Sequence, residues 1–367
     1  MLIKNARILD ENFDVRPADV VLGTIIEQIF PGGAGADFRY DGEIVDAGGD
    51  LLIPGLVDIH THGALGMDSM SESLDFGRWR RYLQENGITT FFPTTVTEND
   101  AAIERAVHNL ADSDGIYLEG PYINAEKNGA HDKSKIHPVD AFLEKLAGKL
   151  RIVALAPEFP ENMSVIEDLR ARGVRVSLGH SSADYETGRT AFAKGASLLV
   201  HTFNAMNPLT HREPNLIGAA LDDEGVFCEV ISDGIHLHPA IVRILFRALG
   251  PKRMVLISDS MAATGFQDGD YLLGDLKVTV RDHIARTEYG AIAGSTNNLM
   301  EMVRKAVSFG IPLPAAVEMA SLTPARAAGI DQDVGSIRTG KKANLVRCSD
   351  DLTIRTVYYH GADLFGG

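Results

Sequence analysis

From Leu56 onward the chain alternates short apolar runs with segments whose apolar residues recur three and four apart. The runs are LVDIH (56–60), ITTFFPTT (88–95), GIYLEGP (115–121), IVALAPE (152–158), RVSLGH (175–180), SLLVHTF (197–203), FCEVISDGIH (227–236) and RMVLISDS (253–260). Between them, LDFGRWRRYLQEN, DAAIERAVHNLA, ENMSVIEDLRARG and SADYETGRTAFAKG have the period of amphipathic helices. Several of these are closed by the glycine that a helix end favours. Eight buried runs in βα alternation are the number that closes a parallel barrel, so the pattern predicts an α/β fold of the (β/α)8 type.

The chain ends have a different grammar. Residues 1–52 alternate short β-rich runs with Gly and Asp turn clusters, which predicts small antiparallel strands. The tail from residue 342 to 367 returns to short strands and is expected to join the first 52 residues in a split β-sandwich domain, leaving 53–341 to the barrel. Residues 265–293 predict a β-rich insertion after the eighth run, and two helices are expected around 296–309 and 313–328. There is no solenoid repeat and no low-complexity tract.

Composition narrows the partners. Fifty acidic against 35 basic residues make the formal net charge −15, which disfavours nucleic acid and anionic membranes because both demand a basic footprint. No apolar run approaches the roughly 20 residues of a membrane span. The start MLIKNARILDENF lacks the features of a signal peptide. The only two cysteines, Cys228 and Cys348, lack the spacing of a metal knuckle or redox pair, so a reducing, cytoplasmic setting is expected.

Candidate chemistry gathers at the ends of the runs, where parallel barrels build their active sites. His60 and His62 close the first run, Glu119 the third, His180 the fifth; His201 lies in the sixth, His236 ends the seventh and Asp259 closes the eighth. Residues two apart on a strand share a face, so His60 and His62 can aim at one point. A lone histidine at a strand end is usually an ordinary polar residue. Four of them with two acids form a donor set for a divalent metal, Zn²⁺ or Fe²⁺ first and Mn²⁺ second, with Glu119 able to bridge two ions. Such an ion lowers the pKa of a water to about 7, and the reaction then needs a carboxylate such as Asp259 to move the proton. His108, His137, His211, His238, His283 and His360 fall in helices, loops or the end strands and read as structural.

The motifs PGLVDIHTHG, LEGPYIN with KNGAHD, SLGHSSA, HTFNAMNPLTHREPNL, SDGIHLHP, ISDSMAATG, IAGST, SLTPARAAGI and GKKANLV resemble the amidohydrolase superfamily, and within it the N-acetylglucosamine-6-phosphate deacetylases. The likeness covers essentially the whole chain; the HxH pair is widely shared, whereas HTFNAMNP followed by HREP is far more specific. The resemblance implies that Glu119, His180 and His201 are retained metal ligands and that Asp259 is both a ligand and the catalytic acid/base. His60 and His62 vary in that family; this chain keeps both, so one or two ions per chain are expected, with a binuclear-capable centre. IVALAPE carries no lysine, so no carbamylated-lysine bridge is expected.

By the same resemblance Asn204, Ala205 and Arg212 serve the substrate phosphate, with Arg212 able to act in a neighbouring subunit of a homodimer. Ala130, His131, Asp233, Gly234, Ile235 and His236 meet the sugar and its N-acetyl carbonyl, with His131 and His236 assisting catalysis, and Ile292, Ala293 and Gly294 form a further wall. The implied reaction is hydrolysis of the acetamide of N-acetylglucosamine 6-phosphate in amino-sugar catabolism. The alternatives are the galactosamine epimer and, less favoured, a cyclic-amide hydrolase or deaminase of the same superfamily. A non-catalytic interaction protein on this barrel is disfavoured because every ligand position is filled.

Overall fold

The structure, a computed structural model, describes residues 1–32 and 38–366. Eight parallel strands run in chain order: Leu56–Thr61, Ile88–Pro93, Tyr117–Leu118, Ile152–Leu155, Arg175–Leu178, Leu198–Leu199, Phe227–Val230 and Met254–Leu256. The third to the eighth are paired in sequence order and the first pairs with the second. Single parallel bridges from Thr94 to Tyr117 and from Thr61 to Ser260 complete the ring. Nearly every strand residue is buried, which explains why these segments read as continuous apolar runs and not as alternating ones. All the ladders but the first are shorter than the runs. The residues left over, among them Glu119, His180, His201 and Asp259, lie just beyond the strands on the loops of one barrel end.

Helices between the strands carry the expected local signals. Asn99 caps Asp100–Asn109 by accepting the Ala102 N–H, and Asp184 caps Tyr185–Lys194, which ends at Gly195 with φ 118°. The segment ENMSVIEDLRARG forms two short helices, Pro160–Ser164 and Ile166–Ala171. The expected helix 313–328 is also two, Leu313–Met319 and Leu322–Ala328. Pro324 has no N–H to donate back to Ala320, so one continuous helix is disfavoured, whereas in the first turn of a new helix that loss is harmless. Ahead of them lies Leu299–Ser308, started by a reciprocal cap between Asn298 and Glu301.

Strands from both chain ends form one hydrogen-bonded set, in the order Ala362–Asp363, Ile354–Tyr359, Leu345–Cys348, Leu51–Pro54, Leu2–Leu9, Val15–Leu22 and Ile26–Pro31, with Ile44–Asp46 also on Leu2–Leu9. The expectation of purely antiparallel strands in the first 52 residues is corrected: Leu2–Leu9 runs parallel to both Ile44–Asp46 and Leu51–Pro54. Parallel partners require a longer connection than a hairpin, and the chain between Leu9 and Ile44, which includes the strands Val15–Leu22 and Ile26–Pro31, provides one. Leu51–Pro54 also runs past residue 52 and pairs with Leu345–Cys348. Alternation along these strands buries both faces. Leu52 and Leu345 join a small core with Ile3, Ile8, Val20 and Tyr358, while Leu51, Ile53, Val346 and Cys348 face the large barrel core.

The insertion is a three-stranded antiparallel sheet, Gly269–Leu273, Leu276–Arg281 and Ile284–Thr287. Asp282 and His283 form its second turn with φ 52° and 60°, the backbone of a two-residue hairpin. His283 is therefore a turn residue. Among the described residues no helix is long and apolar enough to cross a membrane.

Candidate metal centre and substrate cavity

At the loop end of the barrel six side chains converge in two sets, His60 with His62 and Asp259, and Glu119 with His180 and His201. All are buried. Glu119 joins the sets by dividing its oxygens. Its Oε1 lies 3.1 Å from His201 Nε2 and 3.2 Å from His180 Nε2, while its Oε2 lies 3.4 Å from His60 Nε2 and 3.2 Å from His62 Nε2. Asp259 Oδ1 stands 3.5 Å and 3.2 Å from the same two nitrogens of the first pair.

Three of the four imidazoles are oriented by their far nitrogen. Nδ1 of His62 faces the Thr94 carbonyl at 3.0 Å, Nδ1 of His180 the Lys127 carbonyl at 2.7 Å, and Nδ1 of His60 the Glu229 carboxylate at 2.9 Å. Each partner accepts, so each Nδ1 carries the proton and each Nε2 turns a lone pair inward, as metal-binding histidines require. The donor atoms are spaced as ligands around an ion would be. With bonds of about 2.0–2.1 Å, the edge of a tetrahedron is about 3.3 Å, and the nitrogen–nitrogen separations within the two pairs, His60 to His62 at 3.3 Å and His180 to His201 at 3.0 Å, are close to it. The residues present therefore fit a divalent metal.

The electrostatics agree. Burial opposes charge on His60 and His62, yet Glu119 and Glu229 raise the first well above its ordinary value, and Asp259 and Glu119 raise the second to about 9. Burial likewise opposes charge on the acids, but His60 with His131, His180 and His201 holds Glu119 far below the carboxylate range. His62, with His60 and His201, brings Asp259 to about 2. Both carboxylates are thus anionic among imidazoles, and a divalent cation competes with the imidazole protons for the same lone pairs.

Two of the six sit on unusual backbone. His180 and Asp259 both have φ 46°, a conformation that costs a non-glycine residue on the order of 1 kcal/mol. Neighbours hold it in place: the Asn124 N–H donates to the His180 carbonyl at 2.8 Å, and the Asp259 N–H donates to the His60 carbonyl at 2.9 Å. Gly294, at φ 66°, passes so close that a Cβ there would come 2.8 Å from the Asp259 carbonyl oxygen.

A cavity of about 260 Å³ opens above the centre, lined by His62, Glu119, His180, His201 and Asp259 below and by Ala130, His131, Asn204, Ala205, His236, Ile292 and Gly294 around it. Other expected substrate residues are placed differently. Asp233 turns its carboxylate to His236, accepting the Nδ1 proton at 2.7 Å and the Ile235 and His236 backbone N–H groups at 2.8 Å. It acts on the cavity through His236, which it raises above its ordinary pKa against burial. Gly234 and Ile235 shape that turn without lining the cavity, and Ala293 is fully buried behind Ile292 and Gly294. Arg212 lies exposed on the loop after the sixth strand, does not line this cavity, and makes no ion pair among the described residues. His236 sits beyond the strand Phe227–Val230, not at its end.

Two residues that sequence reasoning passed over touch the site. Glu229 points from the seventh strand to His60; a carboxylate inside the apolar run FCEV was the signal for it. Thr97, from the loop after the second strand, contacts His131 Nδ1 and has no such signal. Burial pushes His131 down to about 4 despite the pull of Glu119.

Comparison with known proteins agrees with this architecture. The family model described as amidohydrolase family matches residues 51–362. An N-acetylglucosamine-6-phosphate deacetylase of Vibrio furnissii is 38% identical over 347 residues, 89% of this chain and 87% of its own. An N-acetylgalactosamine-6-phosphate deacetylase of Escherichia coli O157:H7 is 36% identical, with 87% and 89% covered. Among solved structures, a mutant of the Mycobacterium smegmatis N-acetyl-D-glucosamine-6-phosphate deacetylase in complex with N-acetyl-D-glucosamine-6-phosphate superposes with a TM-score of 0.91 at 33% identity, covering 99% and 98% of the two chains.

Proposed function

The chain belongs to the amidohydrolase family, and from that premise we propose that it is an enzyme hydrolysing the acetamide of N-acetyl-D-glucosamine 6-phosphate to D-glucosamine 6-phosphate and acetate. The observation that carries this reading is Glu119, whose two oxygens face two histidine pairs beneath a cavity of sugar-phosphate scale.

His60, His62, Glu119, His180, His201 and Asp259 would hold one or two divalent ions, Zn²⁺ or Fe²⁺ before Mn²⁺ given the nitrogen and carboxylate donors. Such an ion supplies Lewis acidity and lowers the pKa of a water to about 7. Asp259 reaches the cavity as an anion and takes a proton there as base. It then returns that proton to the amide nitrogen, because an amide anion is a very poor leaving group. His131 and His236 line the cavity with Nδ1 engaged by Thr97 and Asp233, and a hydrogen bond to the acetyl oxygen from Nε2 of His131, or of His236 once it is protonated, stabilises the charge that develops on it. Asn204 and Ala205 line the wall assigned to the phosphate, and Ala130, Ile292 and Gly294 line the sides.

Arg212 suits a phosphate through its planar, two-pronged donor set, and its exposed, unpaired position supports delivery into the cavity of a second subunit, hence a homodimer. The two buried free thiols fit a reducing, cytoplasmic compartment. Acetate release from N-acetylglucosamine 6-phosphate, N-acetylgalactosamine 6-phosphate and unphosphorylated N-acetylglucosamine, with Zn²⁺, Fe²⁺ or Mn²⁺, tests the reading. The phosphorylated glucosamine should give the highest kcat/KM. A preference for its epimer would move the substrate, and failure on all three by metal-loaded protein would remove the activity.

A further inference from the structure

We propose that the main-chain N–H of Thr97 holds the His131 ring in the tautomer protonated at Nε2, so that this nitrogen is a hydrogen-bond donor toward the substrate. The geometry rests on two contacts to one atom. Nδ1 of His131 lies 3.0 Å from the Thr97 backbone nitrogen and 2.8 Å from its hydroxyl oxygen. The hydroxyl could donate or accept, but a backbone amide can only donate. Nδ1 must therefore offer its lone pair, and in a neutral ring the proton sits on Nε2. A proton on Nδ1 would set two N–H groups face to face and leave a buried amide without an acceptor, an arrangement that folded proteins avoid.

Both sides of the contact are braced. Thr97 is buried, in a loop tied to the barrel by Thr94 N–H to Thr61 O at 2.8 Å and Thr95 N–H to Tyr117 O at 3.0 Å. Gly120, at φ 69°, lies directly against it, and a Cβ there would collide with the Thr97 hydroxyl. On the other side His131 donates its backbone N–H to the Asn128 carbonyl at 2.9 Å, and the Asn128 amide returns a bond to the His131 carbonyl at 2.7 Å.

The other histidine of the cavity wall has the opposite polarity. Nδ1 of His236 faces the Asp233 carboxylate and carries the proton, so a neutral His236 shows a lone pair at Nε2 and becomes a donor there only by taking up a second proton. Of the two, His131 is the one built to donate to a carbonyl oxygen without changing charge. Thr97 is a positioning residue in this scheme, acting through His131. The assignment of the recipient as the acetyl oxygen rests on the deacetylase reading; the tautomer does not.

The test begins on substrate-free, zinc-loaded protein labelled with 15N-histidine. Two-bond 1H–15N spectra at pH 7, with the His131 signals assigned by their loss in His131→Gln, should show a protonated Nε2 and a bare Nδ1. An Nδ1–H ring or an imidazolium would overturn the proposal whatever the enzyme acts on. Replacing the Val96–Thr97 amide by an ester, through incorporation of the α-hydroxy analogue of threonine, removes the donor alone. The expected result is a mixture of tautomers and a kcat about tenfold lower at nearly unchanged KM, while Thr97→Ser behaves as the parent. An ester protein with the parent tautomer and parent kcat would also overturn it. Thr97→Pro is the less useful variant because it can fail to fold.

Discussion

Nδ1 of His60 lies 2.9 Å from Oε2 of Glu229, and neither side chain has any solvent exposure. A carboxylate at this distance fixes the tautomer of the ring and increases the basicity of the nitrogen turned to the candidate metal site. Glu229→Gln is isosteric and removes the charge. The expected outcome is affinity for the ion at His60 and His62 lowered about 10- to 100-fold, with binding at His180 and His201 retained. Zinc titration against a competing chelator measures both; unchanged affinity at both sites would mean that Glu229 is only a packing residue.

The two sets of ligands sharing Glu119 predict up to two ions per chain. Elemental analysis of protein purified without chelator and supplied with metal should exceed one equivalent, and His60→Asn combined with His62→Asn should bring it to about one. A parent value that never exceeds one removes the binuclear centre.

Asp259→Asn keeps an oxygen ligand but cannot take up the proton. Turnover should fall by about 10²- to 10⁴-fold, the range typical of a lost general acid–base, with the thermal unfolding midpoint little changed. Near-parent kcat in a folded, metal-loaded variant would exclude the assigned role.

Arg212→Ala should raise KM for the phosphorylated sugar about tenfold or more, the loss of a charge-assisted hydrogen bond, and leave the unphosphorylated sugar unaffected. If the guanidinium serves a second subunit, mixing Arg212→Ala with Asp259→Asn chains should restore activity, because a hybrid contains one site with both residues intact. No recovery after verified subunit exchange would place Arg212 in its own subunit or outside the site.

Lys341 provides a pH test away from the centre. It is 3% exposed, donates to the Val334 carbonyl at 2.9 Å and to Ser336 Oγ at 2.7 Å, and burial, aided by Arg338, lowers it from 10.5 to about 8. Between those values the unfolded chain binds the extra proton and the folded chain does not, so stability rises with pH across that window. Below pH 8 both states are charged and the full burial cost remains. Melting of parent and Lys341→Met from pH 7.5 to 10.5 should therefore shift relative stability toward the parent. A pH-independent difference would show that Lys341 is not destabilised by burial.

Much of the barrel was legible because its signal is local. Buried parallel strands leave apolar runs, and a polar residue closing such a run stands out, as Glu119, His180 and Asp259 do. The errors arose where the cause is not local. Strand direction near the N-terminus depends on which strand Leu2–Leu9 finds as partner, and the split of the last helical stretch depends on the single N–H missing at Pro324. Asp233 looked like a substrate contact because of its place in SDGIH, and only the fold of that turn directs its carboxylate to His236.

The sequence by itself determined the barrel, six candidate metal-binding side chains and the chemistry those residue types permit, since period and donor type are written in the residues themselves. Only the tertiary structure decided how they are aimed: which Glu119 oxygen faces which histidine pair, and which nitrogen carries the proton in His60, His62 and His180. Some of those decisions are made by backbone groups, the carbonyls of Thr94 and Lys127. Nearly every residue carries the same groups, so no residue type reveals them until the chain has folded.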